Sequence, residues 1–273
     1  MDPVTQRYRE REEMAARVIA VMGAKGGVGT STVALNLAVQ TAQLTRGRVA
    51  LLEYARPFGQ IALMLDLKLR FTLMDALERV GRLDARVLGS LTEKHKSGVD
   101  ILAGPTHAAL REEQRPFVTL EGFVNILELA RDTYDFVVID LGFVNAAEWA
   151  RLLQMAEHLL LVTEPSALAL GMLERYLRAA GDAGIDSDRF QIVVNRWRQG
   201  DDDFAARRLG ALSQTFLARL PNDYRQVSEA VTFGAPIGAS SNNLLYARYR
   251  KMAADLLGLK PSEVGRGAEA VTI

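Results

Sequence analysis

The residues of this chain that could do chemistry begin at Met22 to Thr32, MGAKGGVGTST, where glycines, a lysine and three adjacent hydroxyls are crowded together. Gly26, Gly27 and Gly29 let consecutive backbone N–H groups turn toward one anion. A helix starting just beyond them would add the partial positive charge of its N-terminus. The usual phosphate-loop pattern, GxxxxGK[ST], places a lysine at the β- and γ-phosphates and a hydroxyl after it at Mg2+. Ser31 stands at the hydroxyl position, but Thr30 stands at the lysine position and Ala24 at that of the first glycine. An earlier lysine, Lys25, is present instead, directly before Gly26. Lys25, Gly26, Gly27, Val28, Gly29, Thr30, Ser31 and Thr32 are therefore the candidate nucleotide-binding residues.

Carboxylates for a metal come from two further stretches. Phe136 to Asp140, FVVID, is four apolar residues closed by an acid, the form of a Walker B strand whose carboxylate holds Mg2+, usually through water. An aspartate ending any parallel strand can also cap the following loop, but its place behind a phosphate loop favours the metal reading. Glu53 follows the apolar run of residues 49–52, VALL, and at the end of a strand it would reach Mg2+ water. Ser31, Asp140 and Glu53 form the expected metal set.

KGGVGTST, with an apolar run before it and an Ala/Val/Leu-rich segment after it, resembles the deviant phosphate loop of the MinD/ParA family. The departure at Thr30 resembles the CpaE/TadZ branch, whose members help to assemble and position tight-adherence (Flp) pili. In the family the early lysine, here Lys25, reaches across a dimer to the partner's nucleotide. The family's DxDxxFG is matched at Phe58 and Gly59, with Glu53 replacing the first aspartate. Ala55 replaces the second, which in the family orients the attacking water. LVTEP at residues 161–165 is similar to the same branch. Asp140 is followed by Leu141 and Gly142, without the proline of the family's DxPxG. The resemblance implies that Asn195, ending the strand QIVVN, meets the adenine edge, as suits an amide with two donors and an acceptor. As a plain residue it reads equally as part of a turn. LPNDY at residues 220–224 is similar to the segment that walls the base, which implicates Pro221 and Asp223.

These residues need a scaffold, and the chain can build one. Its 273 residues are 49% hydrophobic, enough for one large core. Apolar runs at residues 18–21, 49–52, 99–103, 136–139, 158–163 and 191–194 read as buried strands, alternating with helical spacings at 33–39, 73–80, 85–91, 120–131, 168–180 and 244–257. That order predicts an α/β fold, a doubly wound, mostly parallel sheet with helices on both faces. Ligand then belongs at the strand carboxyl ends, where Gly29, Glu53, Asp140 and Asn195 all fall. The expected division is a charged arm over 1–16, a MinD/ParA-like nucleotide-binding domain over 17–257, and a loose tail over 258–273. The last helix, residues 244–257, is expected to pack on the core rather than lie on a membrane.

Composition removes several alternatives. With 33 basic and 33 acidic residues the formal net charge is zero, giving no global pull toward nucleic acid. The absence of cysteine excludes disulfides and thiolate chemistry. His95, His107 and His158 are scattered, and His158 is expected at a strand edge. No run has the length of a membrane span, so a cytoplasmic protein is expected, recruited to a pole or to the inner face of the membrane through partners.

Taken together, the resemblance implies a switch that binds ATP (or ADP) with Mg2+, forms a homodimer through the nucleotide and acts with pilus or secretion assembly proteins. Hydrolysis is expected to be weak or absent, because Thr30 and Ala55 replace a lysine and an aspartate of the family. A ParA-like partition ATPase acting on DNA is the alternative from another class, and Thr30, Ala55 and the zero net charge count against it. A scaffold of the same fold without nucleotide is the third, opposed by Lys25, Ser31 and Asp140.

Overall fold

In this computed structural model of the chain, the described residues are 16–55, 58–105, 119–142, 144, 146–201, 207–208, 216–238 and 243–259. The expected arm and tail lie, apart from Ala16, Gly258 and Leu259, outside the described residues, as does His107.

The strands are β1 (Arg17–Gly23), β2 (Val49–Glu53), β3 (Glu93–Lys94), β4 (Val99–Leu102), β5 (Phe136–Asp140), β6 (His158–Thr163), β7 (Phe190–Trp197) and β8 (Phe216–Pro221). They form one sheet in the order β3-β4-β2-β5-β1-β6-β7-β8. Every pair is parallel except the short β3–β4 edge. β1 is central, with β5 and β6 on its two sides, and the chain reverses its winding there. Such a switch point leaves a crevice at the carboxyl ends of the strands.

The helices are α1 (Thr30–Thr45), α2 (Ile61–Met64), α3 (Leu73–Leu77), α4 (Ala85–Leu91), α5 (Leu120–Thr133), α6 (Ala146–Gln154), α7 (Ala167–Asp182), α8 (Tyr224–Thr232) and α9 (Leu244–Leu257). Alternate strand residues point to opposite faces. Val18, Ala20 and Met22 of β1 join a core with α3, α4, α5, α6 and α7. Ile19 and Val21 join the other core with α1, α2 and α9. Burial on both faces explains why the strands read as unbroken apolar runs, each fully buried Val or Leu contributing roughly 1.5–3 kcal/mol. α9 lies on α1 and β8 and buries Leu245, Tyr249, Met252, Ala253 and Leu256, as core packing required. Among the described residues no helix is long and apolar enough to cross a membrane.

Helix boundaries differ from the periodicity at α1 and α3. α1 begins at Thr30, before the apolar segment, and runs to Thr45, burying the polar Asn36, Gln40 and Thr41 among its apolar residues. Asn36 donates to the Thr32 carbonyl at 2.8 Å and accepts the Ile237 N–H at 2.9 Å, fastening the segment before α9 to α1. The helix expected over 73–80 stops at Leu77 and continues as a 3-10 turn, Val80–Arg82. Gly81 weakens helix there by about 1 kcal/mol, while a Thr72–Asp75 capping box defines the start. His158 opens β6, as expected, and its Nδ1 meets Gln191 Oε1 at 3.0 Å.

Candidate phosphate and metal site

The glycine loop leaves β1 at Gly23 and enters α1 at Thr30, capped by Gly29 at φ 92°. Gly27 at φ 81° is the other residue in the left-handed region, which side chains with a Cβ disfavour. Val33 N–H is bonded back to the Gly29 carbonyl at 3.0 Å. The N–H groups of Thr30, Ser31 and Thr32, in the first turn, have no partner within the helix and point past its end. Such an end fits a phosphate. The base of the loop is fixed by Gly23 N–H to the Gly142 carbonyl at 2.7 Å and Ala24 N–H to the Val162 carbonyl at 2.8 Å.

Thr30 offers no cation and turns inward. It is 8% exposed, and a Cβ on Gly23 would lie 2.5 Å from its hydroxyl. Ser31 stands close enough to Asp140 for its hydroxyl to lower the pKa of that carboxyl, and the Gly142 N–H bonds the Asp140 Oδ1 at 3.1 Å. In the sheet Asp140 sits beside Val21 of β1 on one side and beside Glu53 of β2 on the other. Burial, then the neighbouring Glu53 charge, push the Asp140 carboxyl up to about 7, partly offset by Ser31 and the Gly142 N–H. A buried acid with a hydroxyl beside it is a hard-oxygen pair that suits Mg2+. The residues present therefore fit the metal.

Glu53 is placed differently from the expectation of a metal-facing side chain. Its Oε1 accepts N–H bonds from Gln60 at 2.5 Å and Ile61 at 3.0 Å, and its Oε2 accepts that of Gly104 at 2.8 Å. The carboxylate thus ties the loop after β2 to the loop after β4. Burial nonetheless pushes its carboxyl up, against the pull of those three bonds. Ala55 is half-buried beside Gly104 and carries no proton acceptor.

Asn195 ends next to the loop rather than turned from it. Its Nδ2 donates to the Val28 carbonyl at 2.8 Å and its Oδ1 accepts the Arg196 N–H at 2.9 Å. A Cβ on Gly29 would collide with that amide. Asp223 caps α8, accepting the Gln226 N–H at 3.0 Å. Pro221 closes β8 beside Trp197. Both lie at the same carboxyl edge as the loop, with β6 and β7 between β8 and β1.

One residue at the site has no role in the sequence reading. Glu164, the acid of LVTEP, follows β6 and meets Lys25 Nζ at 3.1 Å and Arg196 Nη1 at 2.8 Å. Burial alone would raise its carboxyl, but the Lys25 hydrogen bond and charge, then Arg196, hold it below the usual carboxylate range. The signal available was positional: a carboxylate ending the strand next to the one that carries the glycine loop.

A central parallel sheet, a glycine loop opening a helix, and a serine–aspartate pair at the adjacent strand end define a P-loop nucleotide-binding fold of the MinD/ParA type. The chain belongs to the AAA_31 family, described as an AAA domain, whose model matches residues 16–182. It is 29% identical over 191 residues to a putative septum site-determining protein MinD of Chlorella vulgaris, covering 67% of this chain and 62% of that protein. It is 25% identical over 247 residues to an uncharacterized ATP-binding protein of Methanocaldococcus jannaschii, covering 90% of each. Among solved structures, a ParA family ATPase from Chlorobium tepidum superposes with TM-score 0.74 at 22% identity, over 88% of this chain and 99% of that one. MinD of Pyrococcus horikoshii complexed with Mg-ADP superposes with TM-score 0.67 at 20% identity, over 93% and 99%.

Proposed function

We propose that this chain is a MinD/ParA-like nucleotide switch of the CpaE/TadZ kind, which binds ATP with Mg2+, dimerises through it and serves the assembly or positioning of Flp pili, with hydrolysis weak or absent. The observation that carries nucleotide binding is the glycine loop opening α1, with Gly27 and Gly29 in the left-handed region and Asp140 ending the strand beside β1. Backbone N–H groups from Gly27 to Thr32 would hold phosphate, and Ser31 and Asp140 would hold Mg2+, which when bound neutralises phosphate charge. The Mg-ADP complex of a relative of this fold is in keeping with that ligand. Weak turnover follows from Ala55, which has no carboxylate, and from Glu53, whose oxygens are engaged by three amides. Losing a positioned base costs roughly 10² to 10⁴ in rate. The pilus role rests on the likeness of KGGVGTST and LVTEP to the CpaE/TadZ branch.

Calorimetric titration with Mg-ATP tests the reading. A charge-assisted hydrogen bond contributes about 1.5–3 kcal/mol, so the loss of lysine at Thr30 should weaken binding about ten- to a hundredfold relative to relatives with both lysines. Binding should be detectable and Mg2+-dependent, and light scattering should show ATP-dependent dimers. No heat and no thermal shift at millimolar Mg-ATP would leave the nucleotide-free scaffold instead.

A further inference from the structure

Lys25 and Val28, near the two ends of the glycine loop, are joined through one chain of polar contacts. Lys25 Nζ meets Glu164 Oε1 at 3.1 Å, Glu164 Oε2 meets Arg196 Nη1 at 2.8 Å, Arg196 N–H is bonded to Asn195 Oδ1 at 2.9 Å, and Asn195 Nδ2 is bonded to the Val28 carbonyl at 2.8 Å. Topology makes the chain of contacts short, because β6 lies between β1 and β7 and Glu164 leaves β6 between the loop and Arg196. Ser166 Oγ, at 3.3 Å from Glu164 Oε1, steadies the carboxylate from its own turn. Arg196 holds a left-handed backbone at φ 56°, which is uncommon for a residue other than glycine.

We propose that Glu164 is a positioning residue that holds Lys25 within its own subunit, and that Arg196 is the cation left with Glu164 when Lys25 departs for an anion. This rests on the reading of the protein as a nucleotide-dependent dimer. A lysine needed by a partner's phosphates is here already committed to a carboxylate of its own chain, so dimerisation must first break that pair. The Lys25 and Glu164 side chains are only 22% and 17% exposed, and an acid so enclosed is costly to leave alone. Arg196 removes that cost, since its guanidinium presents several donors to one carboxylate. Glu164 therefore raises the nucleotide concentration needed for pairing, and Arg196 lowers it.

The test has two readouts on the full chain. In the nucleotide-free protein, an amine-acylating reagent is applied and the rate at Lys25 is compared by mass spectrometry with those at Lys68, Lys94, Lys96 and Lys251 in the same sample. Glu164→Gln, which is nearly isosteric, should raise the relative Lys25 rate about two- to tenfold, whereas general destabilisation would raise all five. Raising salt on the unmutated protein from 0.1 to 1 M, where the Debye length shrinks from about 10 to 3 Å, should do the same to a lesser degree and needs no variant. An unchanged Lys25 ratio in both experiments overturns the proposal. In light scattering, Glu164→Gln should lower the Mg-ATP concentration at half dimerisation and Arg196→Gln should raise it. The opposite order overturns the proposal as well. An unmutated chain that stays monomeric with Mg-ATP overturns the dimer reading instead, and the acylation rates then decide the role of Glu164 on their own.

Discussion

Glu53, expected to face a metal, is bonded instead as a structural anchor. Its side chain reaches past the strand end to the N–H groups of Gln60, Ile61 and Gly104. A glutamine can offer an acceptor to one side only, so Glu53→Gln turns an NH2 group toward an N–H that it cannot satisfy. An unsatisfied buried group costs about 1–3 kcal/mol. At about 2–4 °C per kcal/mol for a chain of this size, the melting temperature should fall by several degrees in thermal denaturation. Residual ATP turnover, if any, should be unchanged per folded molecule. Turnover abolished by this change with melting unaltered would make Glu53 the missing base. Asn195 teaches a related lesson. Its amide suits a base edge, but it donates to the Val28 carbonyl of the glycine loop.

The loops after β2 and β4 behave as one element, and their glycines show why. A Cβ on Gly104 would lie 2.9 Å from the Ala55 Cβ and 3.0 Å from the Gly59 Cα, and one on Gly59 would collide with the Glu53 carboxylate. Tyr54 fixes the same loop from below, packed edge-on against Phe123 and Trp149 with ring centroids 5.0 and 4.2 Å away. Gly104→Ala should therefore separate the two loops and lower stability by about 1–3 kcal/mol, read as a shift in urea midpoint. A neutral effect would mean that the loops yield freely. Strands were legible in the sequence because burial on both faces leaves uninterrupted apolar runs, and β5 and β6 match residue for residue. The short antiparallel β3, with half-exposed Glu93 and exposed Lys94, carries no such pattern. The glycine loop and Asp140 were legible because local order fixes them. The Glu164 contacts and the bonds of Glu53 depend on which strands become neighbours, and that is a property of the sheet order rather than of any stretch of sequence.

Across the whole molecule, the buried Asp140–Glu53 pair couples stability to pH and to the metal. The Asp140 carboxyl titrates near 7 in the folded chain against an ordinary value of 3.8, with burial the main cause, and Glu53 is raised as well. Between those two values the folded chain holds a proton that the unfolded chain has released. The contribution is therefore complete below about pH 4, and it is lost as the pH rises toward and through 7. A single proton gives a slope of at most about 1.4 kcal/mol per pH unit. Without metal, urea midpoints should fall from pH 5 to pH 7.5 more steeply in the unmutated protein than in Asp140→Asn, which has no proton to lose at that position. Mg2+ favours the carboxylate form, so Mg-nucleotide should stabilise more at pH 7.5 than at pH 5, and the advantage should vanish in Asp140→Asn. Parallel pH profiles for the two proteins, with and without metal, would show that Asp140 is ionised throughout and that its polar neighbours, the Gly142 N–H among them, outweigh its burial.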